Sequence, residues 1–597
     1  MAGPRRPQTG LVVRLKGCLG LMGEDYCLGN TDEVYRLPHP ERNLTVSEGA
    51  VAPRRLVILQ HSPHAYLACW SLLPDDPPGV AFHCYRRRLG EETLTCVTPE
   101  PIGHACRAFI PRTDDADDLA AYVLRSVVGG REGAPSEPVR PAPRWMGLHR
   151  IVLRLDQPAR FARVSSGDLD GDGSIEFLVL HSPCPNVDPY RLMWFPSSHS
   201  LRLDAYRADG TLLWRHDLGP GVESGSWYAP VIVADVDGDG RAEVCFRANL
   251  SPDRLDYTHE RTRILDGRTG QPKADLPWVS AEGLGSDYNR TLSRNLMSFA
   301  SLDEGRTPVL VIARGTYEGQ RLIALGPDLK PLWERAILDG TRGSHAFPAA
   351  DVNADGDDEL LWGDRCLSLR TGEDLWVAER AGFNGHTDII VPAHVQPGRD
   401  DYQVYYCREG WGGKGTGGVL LVDARGKTVW ADWDRGHVDM GWASRVLPEP
   451  AGMQCYALEI EEKTGGPEGM KRVVNEVLFR DAFGSPLKPP VNLQYTLPID
   501  VNGDGLREIV SQDGQVWDWR GEPVSRYEGH VIHGANHLGD AHEQVVTLTE
   551  TGEIHINFWP GHNVSKVLPL RSDRQYAQDI SLLTANYHTI PFSSTMH

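Results

Sequence analysis

A chain of 597 residues with 40% hydrophobic and 24% charged residues has the composition of an ordinary folded protein, but it is too long for one compact core, so two or more domains are expected. Its formal net charge of −20 argues against a nucleic-acid backbone or an anionic membrane surface as main partner. No run approaches the roughly 20 apolar residues of a membrane-spanning helix.

In the opening segment Arg14 and Lys16 interrupt the apolar stretch that a signal peptide requires, so the chain as written is expected to be uncleaved and cytoplasmic. Eleven cysteines, with no Cys-x-x-Cys pair, fit scattered reduced thiols better than a disulfide framework. Asn43, Asn289 and Asn563 match the short glycosylation pattern, which carries little weight alone.

Residues 1–52, with several Gly and Pro and no sustained periodicity, read as an N-terminal extension. Residues 53–142 carry short strand candidates at 55–59, 65–70, 79–85 and 120–128, which predict a small β-sandwich. The stretch from Arg131 to Arg144, rich in Pro, Gly, Ser and Glu, reads as a linker.

From there to the C-terminus one line recurs four times. Its copies are Asp168-Leu-Asp170-Gly-Asp172-Gly with Glu176, Asp235-Val-Asp237-Gly-Asp239-Gly with Glu243, Asp351-Val-Asn353-Ala-Asp355-Gly with Glu359, and Asp500-Val-Asn502-Gly-Asp504-Gly with Glu508. Oxygen ligands at alternate positions of a tight loop face inward and can wrap a hard cation of calcium's size. The apolar residues after each glutamate lead into strands, unlike the helix-flanked calcium loop that ends on a glutamate at position 12. All sixteen named residues are therefore candidate calcium ligands.

A second repeat overlays the first: a polar turn followed by a strand ending in Trp214, Trp333, Trp376 or Trp430, read as a hairpin entering a buried strand. The last three tryptophans lie 43 and 54 residues apart, an interval that suits a four-stranded propeller blade. Residues 143–597 are accordingly expected to form an all-β propeller of seven to nine blades, eight favoured.

The order of several short segments resembles polysaccharide lyase family 11, the rhamnogalacturonan lyases. They include Tyr66–Leu73 with Val80–Arg86, Leu203–Trp214 ahead of the Asp235 loop, Asp287-Tyr-Asn-Arg290 with Arg294, Arg314-Gly-Thr-Tyr317, Gly343-Ser-His345, and Gly503–Glu508. The resemblance implies an eight-bladed, calcium-dependent propeller behind a small fibronectin-III-like sandwich, cleaving the backbone of acidic pectin by β-elimination. This sequence departs from the family pattern at Val391, at His394-Val-Gln396, at Arg408 beside Glu409, at Trp227 and at Asp540–Glu543.

Elimination on a uronate needs a charge to offset the carboxylate, a base for the C5 proton and an acid for the departing oxygen. Residues at one offset before each loop should converge, which nominates His345 or His386 as base and Tyr228 as acid or its orienter. Arg290, Arg294 and Arg314 are the candidate carboxylate clamps. Trp227, Tyr317, His394, Arg408 and His537 are candidate substrate contacts. The expected partner is an acidic poly- or oligosaccharide, with no nucleic acid, no membrane and a monomeric state. Two other readings stay open: a non-catalytic calcium-stabilised binding propeller, and a glycoside hydrolase using paired carboxylates.

Overall fold

The computed structural model describes residues 56–585 except 63–64, 71–76, 78–79, 92, 99, 103–106, 142–149, 172–174, 187–196, 286–290, 318, 400, 467–468, 539–541 and 560–573. The N-terminal extension, Asp172, Arg290, Asp540 and all three Asn-x-Ser/Thr asparagines lie outside the described residues.

The all-β expectation holds. Two antiparallel sheets come first: Val57–Ser62, Ala65–Cys69 and Arg107–Pro111 in one, and Thr95–Cys96, Ala81–Arg87, Ala121–Val128 and Arg131–Pro135 in the other. Alternation sends Phe82 and Cys84 inward, where they meet Ile58, Tyr66, Trp70 and Tyr122 in one apolar cluster. The predicted linker is corrected at its start. Gly129 and Gly130 take φ of 56° and 72°, the pair of positive values a tight hairpin needs, and Arg131–Pro135 returns as a strand against Ala121–Val128. Its polar composition suits an edge strand, whose side chains are largely exposed.

Antiparallel meanders then succeed one another. The first four begin with Phe161–Gly167, Val231–Ala234, Asn295–Leu302 and Ala349–Ala350, and each runs through four neighbouring strands. The fifth, Gly385–Ala393 to Thr428–Arg435, is fused edgewise to the sixth, His437–Ser444 to Gly469–Arg480, through the pair Glu409–His437. The seventh spans Thr496–Ile499 to Pro523–Arg526. The eighth takes three strands from His530–Asn557 and its fourth, Arg150–Leu153, from the start of the series.

First strands are buried on both faces, as Val231–Ala234 shows, whereas fourth strands such as Pro272–Pro277 alternate between exposed and half-buried. The tryptophan-bearing strands, expected to be buried, are these fourth, outermost strands. Each indole turns to the next meander and donates from Nε1 to a carbonyl there: Trp214 to Gly267 at 2.7 Å, Trp333 to Leu369 at 2.7 Å, Trp376 to Ala424 at 3.0 Å and Trp430 to Ala482 at 3.1 Å. The rings lie over the turn glycines Gly270, Gly372, Gly426 and Gly484, all at positive φ. At Gly372 (φ +73°) an added Cβ would stand 2.7 Å from the Trp333 ring. Gly372→Ala should therefore cost about 1–3 kcal/mol of stability from backbone strain and overpacking, read by denaturant unfolding.

The one α-helix among the described residues, Arg574–Ser581, packs on the first strands of the first three meanders. Its Tyr576 hydroxyl donates to Glu543 at 2.7 Å, and Gln575 donates to the Ala349 carbonyl at 2.7 Å.

Candidate active site

The acidic loops follow the first strands, at Asp168, Asp235, Asp351 and Asp500, whereas Tyr228, Arg294 and His345 precede them and His437 opens one. Loops and rings therefore stand at opposite ends of the strands.

Strand register builds the central cluster. A parallel bridge joins Ser344 to Thr387, and the His345 amide donates to the Thr387 carbonyl at 2.9 Å, which sets His345 beside His386. His386 is paired across the sheet with Glu409, and Glu409 with His437. The ladder slips between Thr387 and Ile389 and again between Val438 and Met440. Such bulges re-aim a side chain, and here each places an aspartate, Asp388 and Asp439.

Asp388 Oδ1 lies 2.9 Å from His386 Nε2 and 3.2 Å from His345 Nδ1. Glu409 Oε2 lies 2.8 Å from His437 Nε2 and 2.9 Å from Lys463 Nζ, and the same ammonium is 2.9 Å from Asp439. Arg472 pairs with Asp439 on its other side. The Tyr317 hydroxyl stands 3.0 Å from His345 Nε2. Trp227, Tyr317 and Trp411 wall the two imidazoles, with ring centroids 4.6–5.9 Å away. Arg294 lies over Trp227 at 4.4 Å, and Arg342 over Trp411 at 3.9 Å.

The electrostatics follow from burial. Desolvation pulls His386 down to about 3 and His345 well below its ordinary range, so both imidazoles are neutral. Burial, with Glu409 and Asp439 alongside, holds Asp388 well above the usual carboxylate range. Burial works against the charge of Asp439 too, but Lys463 and Arg472 hold it well below. His345, His386 and Asp388 have ligand atoms within 4.8 Å of one another, as do Glu409, His437 and Asp439. Neutral imidazoles facing a carboxylate that burial disfavours as an anion form a donor set that a divalent cation would satisfy.

Of the predicted residues, the structure brings His345, His386, Trp227, Tyr317 and Arg294 together. Tyr228 packs in the apolar cluster with Val231 and Phe246, and its carbonyl accepts from Arg247 at 2.6 Å. Arg314 belongs to a buried triad in which it and Arg247 share Glu260. Arg408, fully buried, is committed to Asp364 at 2.7 Å and to the Glu379 carbonyl at 2.6 Å. His394 follows the far end of the strand Gly385–Ala393 that carries His386 near its start, about 26 Å away at strand spacing, and its ring lies 4.4 Å from that of Tyr402, tilted by 36°. His537 stands at the loop end, 2.8 Å from Ser166 Oγ and 3.0 Å from His533. Val391 and Gln396, two of the departures from the family pattern, are likewise on the far half of that strand or beyond it.

Asp388, Glu409, His437, Asp439, Lys463 and Trp411 were missed as site residues. One signal was available: His437-Val-Asp439 repeats His386-Thr-Asp388 at the start of the next meander.

The loops share one wiring. The first aspartate takes backbone amides of the turn, such as Gly503 at 2.7 Å and Gly505 at 3.0 Å on Asp500, and the glutamate takes the amide of position 2, at 2.9–3.1 Å. Burial raises Glu359 to about 8, Glu508 to about 9 and Asp500 to about 8, and neighbouring carboxylates add to each shift. Buried carboxylates crowded together are what a bound calcium would relieve, so the third and fourth loops fit the ion.

The model of the rhamnogalacturonan lyase family 11 C-terminal domain matches residues 159–596. The chain is 26% identical over 565 residues to the rhamnogalacturonan exolyase YesX of Bacillus subtilis (strain 168), covering 83% of this chain and 86% of that protein. It is 29% identical over 386 residues to the rhamnogalacturonan endolyase YesW of the same organism, covering 57% and 59%. The crystal structure of exotype rhamnogalacturonan lyase YesX shares the fold, with a TM-score of 0.74 at 23% identity over 91% of this chain and 96% of that one. With most of its length matched in this way, the chain belongs to rhamnogalacturonan lyase family 11.

Proposed function

We infer that this protein is a polysaccharide lyase that cleaves a uronate-containing, rhamnogalacturonan-like glycan by β-elimination at the His345–His386–Glu409–His437 centre. Family membership supports the reaction class, and the single structural observation that carries the location is the convergence of three histidines, three carboxylates and Lys463 through one line of strand pairing. The meanders are read as the eight blades of a calcium-stabilised propeller, residues 143–597, behind a fibronectin-III-like sandwich, residues 53–142. The sequential packing of first strands and the closing strand Arg150–Leu153 support that reading.

A divalent cation held by His345, His386 and Asp388 would supply charge to offset the substrate carboxylate. The chain's own residues divide the remaining work. A histidine pulled to about 3 is too weak a base for the C5 proton, so His386 is reassigned from base to ligand. His437, with 24% of its side chain exposed and Glu409 at its Nε2, takes that proton and shares its new charge with the carboxylate. The Tyr317 phenol returns a proton to the departing O4 as the C4–C5 double bond forms. Arg294, Arg342, Lys463 and Arg472 surround the centre with positive charge that favours an anionic polymer.

Trp411 is the sugar platform in this reading, its indole packed against the Arg342 guanidinium at 3.9 Å and 5.9 Å from His386. Trp411→Ala should raise KM about 10- to 100-fold, a loss of ~1–3 kcal/mol of stacking, with kcat changed far less. The reaction itself is tested by following unsaturated uronate absorbance on rhamnogalacturonan. A flat trace from folded, cation-loaded protein across uronate polymers would sink the proposal.

A further inference from the structure

The second acidic loop differs from the third and fourth in what fills it. Lys273 Nζ lies 2.6 Å from Asp237 and 2.9 Å from Glu243, the carboxylates at positions 3 and 9, and 3.3 Å from Asp239 at position 5. Three of the four side chains expected to face a calcium ion thus face one ammonium. The fourth, Asp235, is turned to the loop amides of Gly238, Asp239 and Gly240 at 2.7–3.0 Å.

Strand register shows that the lysine is particular to this loop. In each of these meanders the fourth strand pairs with the third through a register slip, and Lys273 is the extra, unpaired residue at that slip, between Pro272 and Ala274. The extra residues at the equivalent slips are Leu213, Leu375 and Val524, which carry no charge. The loops compensate differently as well. Position 3 is asparagine in the third and fourth loops, and its amide donates to Glu359 at 3.0 Å and Glu508 at 2.6 Å. In the second it is Asp237, so two carboxylates meet with Lys273 between them.

We propose that the Asp235 loop is closed by the Lys273 ammonium and takes no calcium, so that this loop of the series is stapled by its own side chain. The proposal rests on the calcium reading of the other loops and corrects it for this one. An ammonium and a calcium ion cannot share one set of oxygens, because each needs the same lone pairs and they repel. The staple then holds at any calcium concentration.

The test is calcium stoichiometry after chelator treatment and equilibrium dialysis of the whole chain. K273L should bind one more calcium per chain than the wild type, and D237N in the wild-type background should leave the count unchanged. An unchanged count in folded K273L overturns the proposal. A count that falls by one in D237N also overturns it, and needs no lysine variant to fold. D355N, in the third loop, should lose one calcium. If it does not, the calcium reading of the loops fails, and that failure is distinct from any change of count in K273L or D237N.

Discussion

Alanine at His437 should lower kcat on rhamnogalacturonan by about 10²- to 10⁴-fold, the usual contribution of a positioned general base, with the fold retained. The residue opens a strand whose pairing runs through backbone groups, so the ladder to Ile460 survives the substitution. The comparison that decides roles is His386→Ala. A ligand variant should lose comparable activity but regain part of it in excess divalent cation, because the loss lies in occupancy. A base variant should not respond to cation at all. If His437→Ala stays within a few-fold of wild type while His386→Ala ignores added metal, the base is His386 and the assignment above is wrong.

Glu260→Ala should destabilise the protein by about 3–5 kcal/mol. The glutamate is 3% exposed and is the shared partner of Arg247, 3% exposed, and Arg314, 1% exposed. Removing it leaves two guanidiniums in a site from which water is largely excluded, with only neutral acceptors. Those are the Tyr228 carbonyl for Arg247 and Asn295 Oδ1, at 3.4 Å, for Arg314. Turnover per folded molecule should be unchanged, measured on the fraction that remains native below the transition. A specific loss of turnover at full stability would return Arg314 to the role of carboxylate clamp.

The acidic loops were legible because each places its four acidic or amide side chains within nine consecutive residues, so spacing and geometry coincide. Four copies leading into short apolar runs also made the strand repeat readable, and with it the all-β class. The centre was half legible. His345 and His386 stand at offsets from strands that sequence could estimate, but Glu409 and His437 are joined to them by sideways pairing between strands that no local pattern encodes. Asp388 and Asp439 depend on bulges, and a one-residue slip of register is invisible without the partner strand. His394 and His537 were misplaced for a related reason. A strand has two ends, and composition does not say which end faces the substrate. Arg408 and Arg314 look like any functional arginine until Asp364 and Glu260 are seen beside them.

The pairing of Arg150–Leu153 with Ile554–Asn557 sets a condition on biosynthesis. Arg154 and Glu553, which meet beside that ladder, are separated by 399 residues. At ordinary ribosomal speeds the early strand waits ~20–80 s for its partner to emerge, with neither edge paired to another strand of its sheet. During that interval it is a template for any other nascent strand. A chain truncated before Ile554 never ends the wait, so premature termination near the C-terminus should yield aggregates although almost every other strand is present.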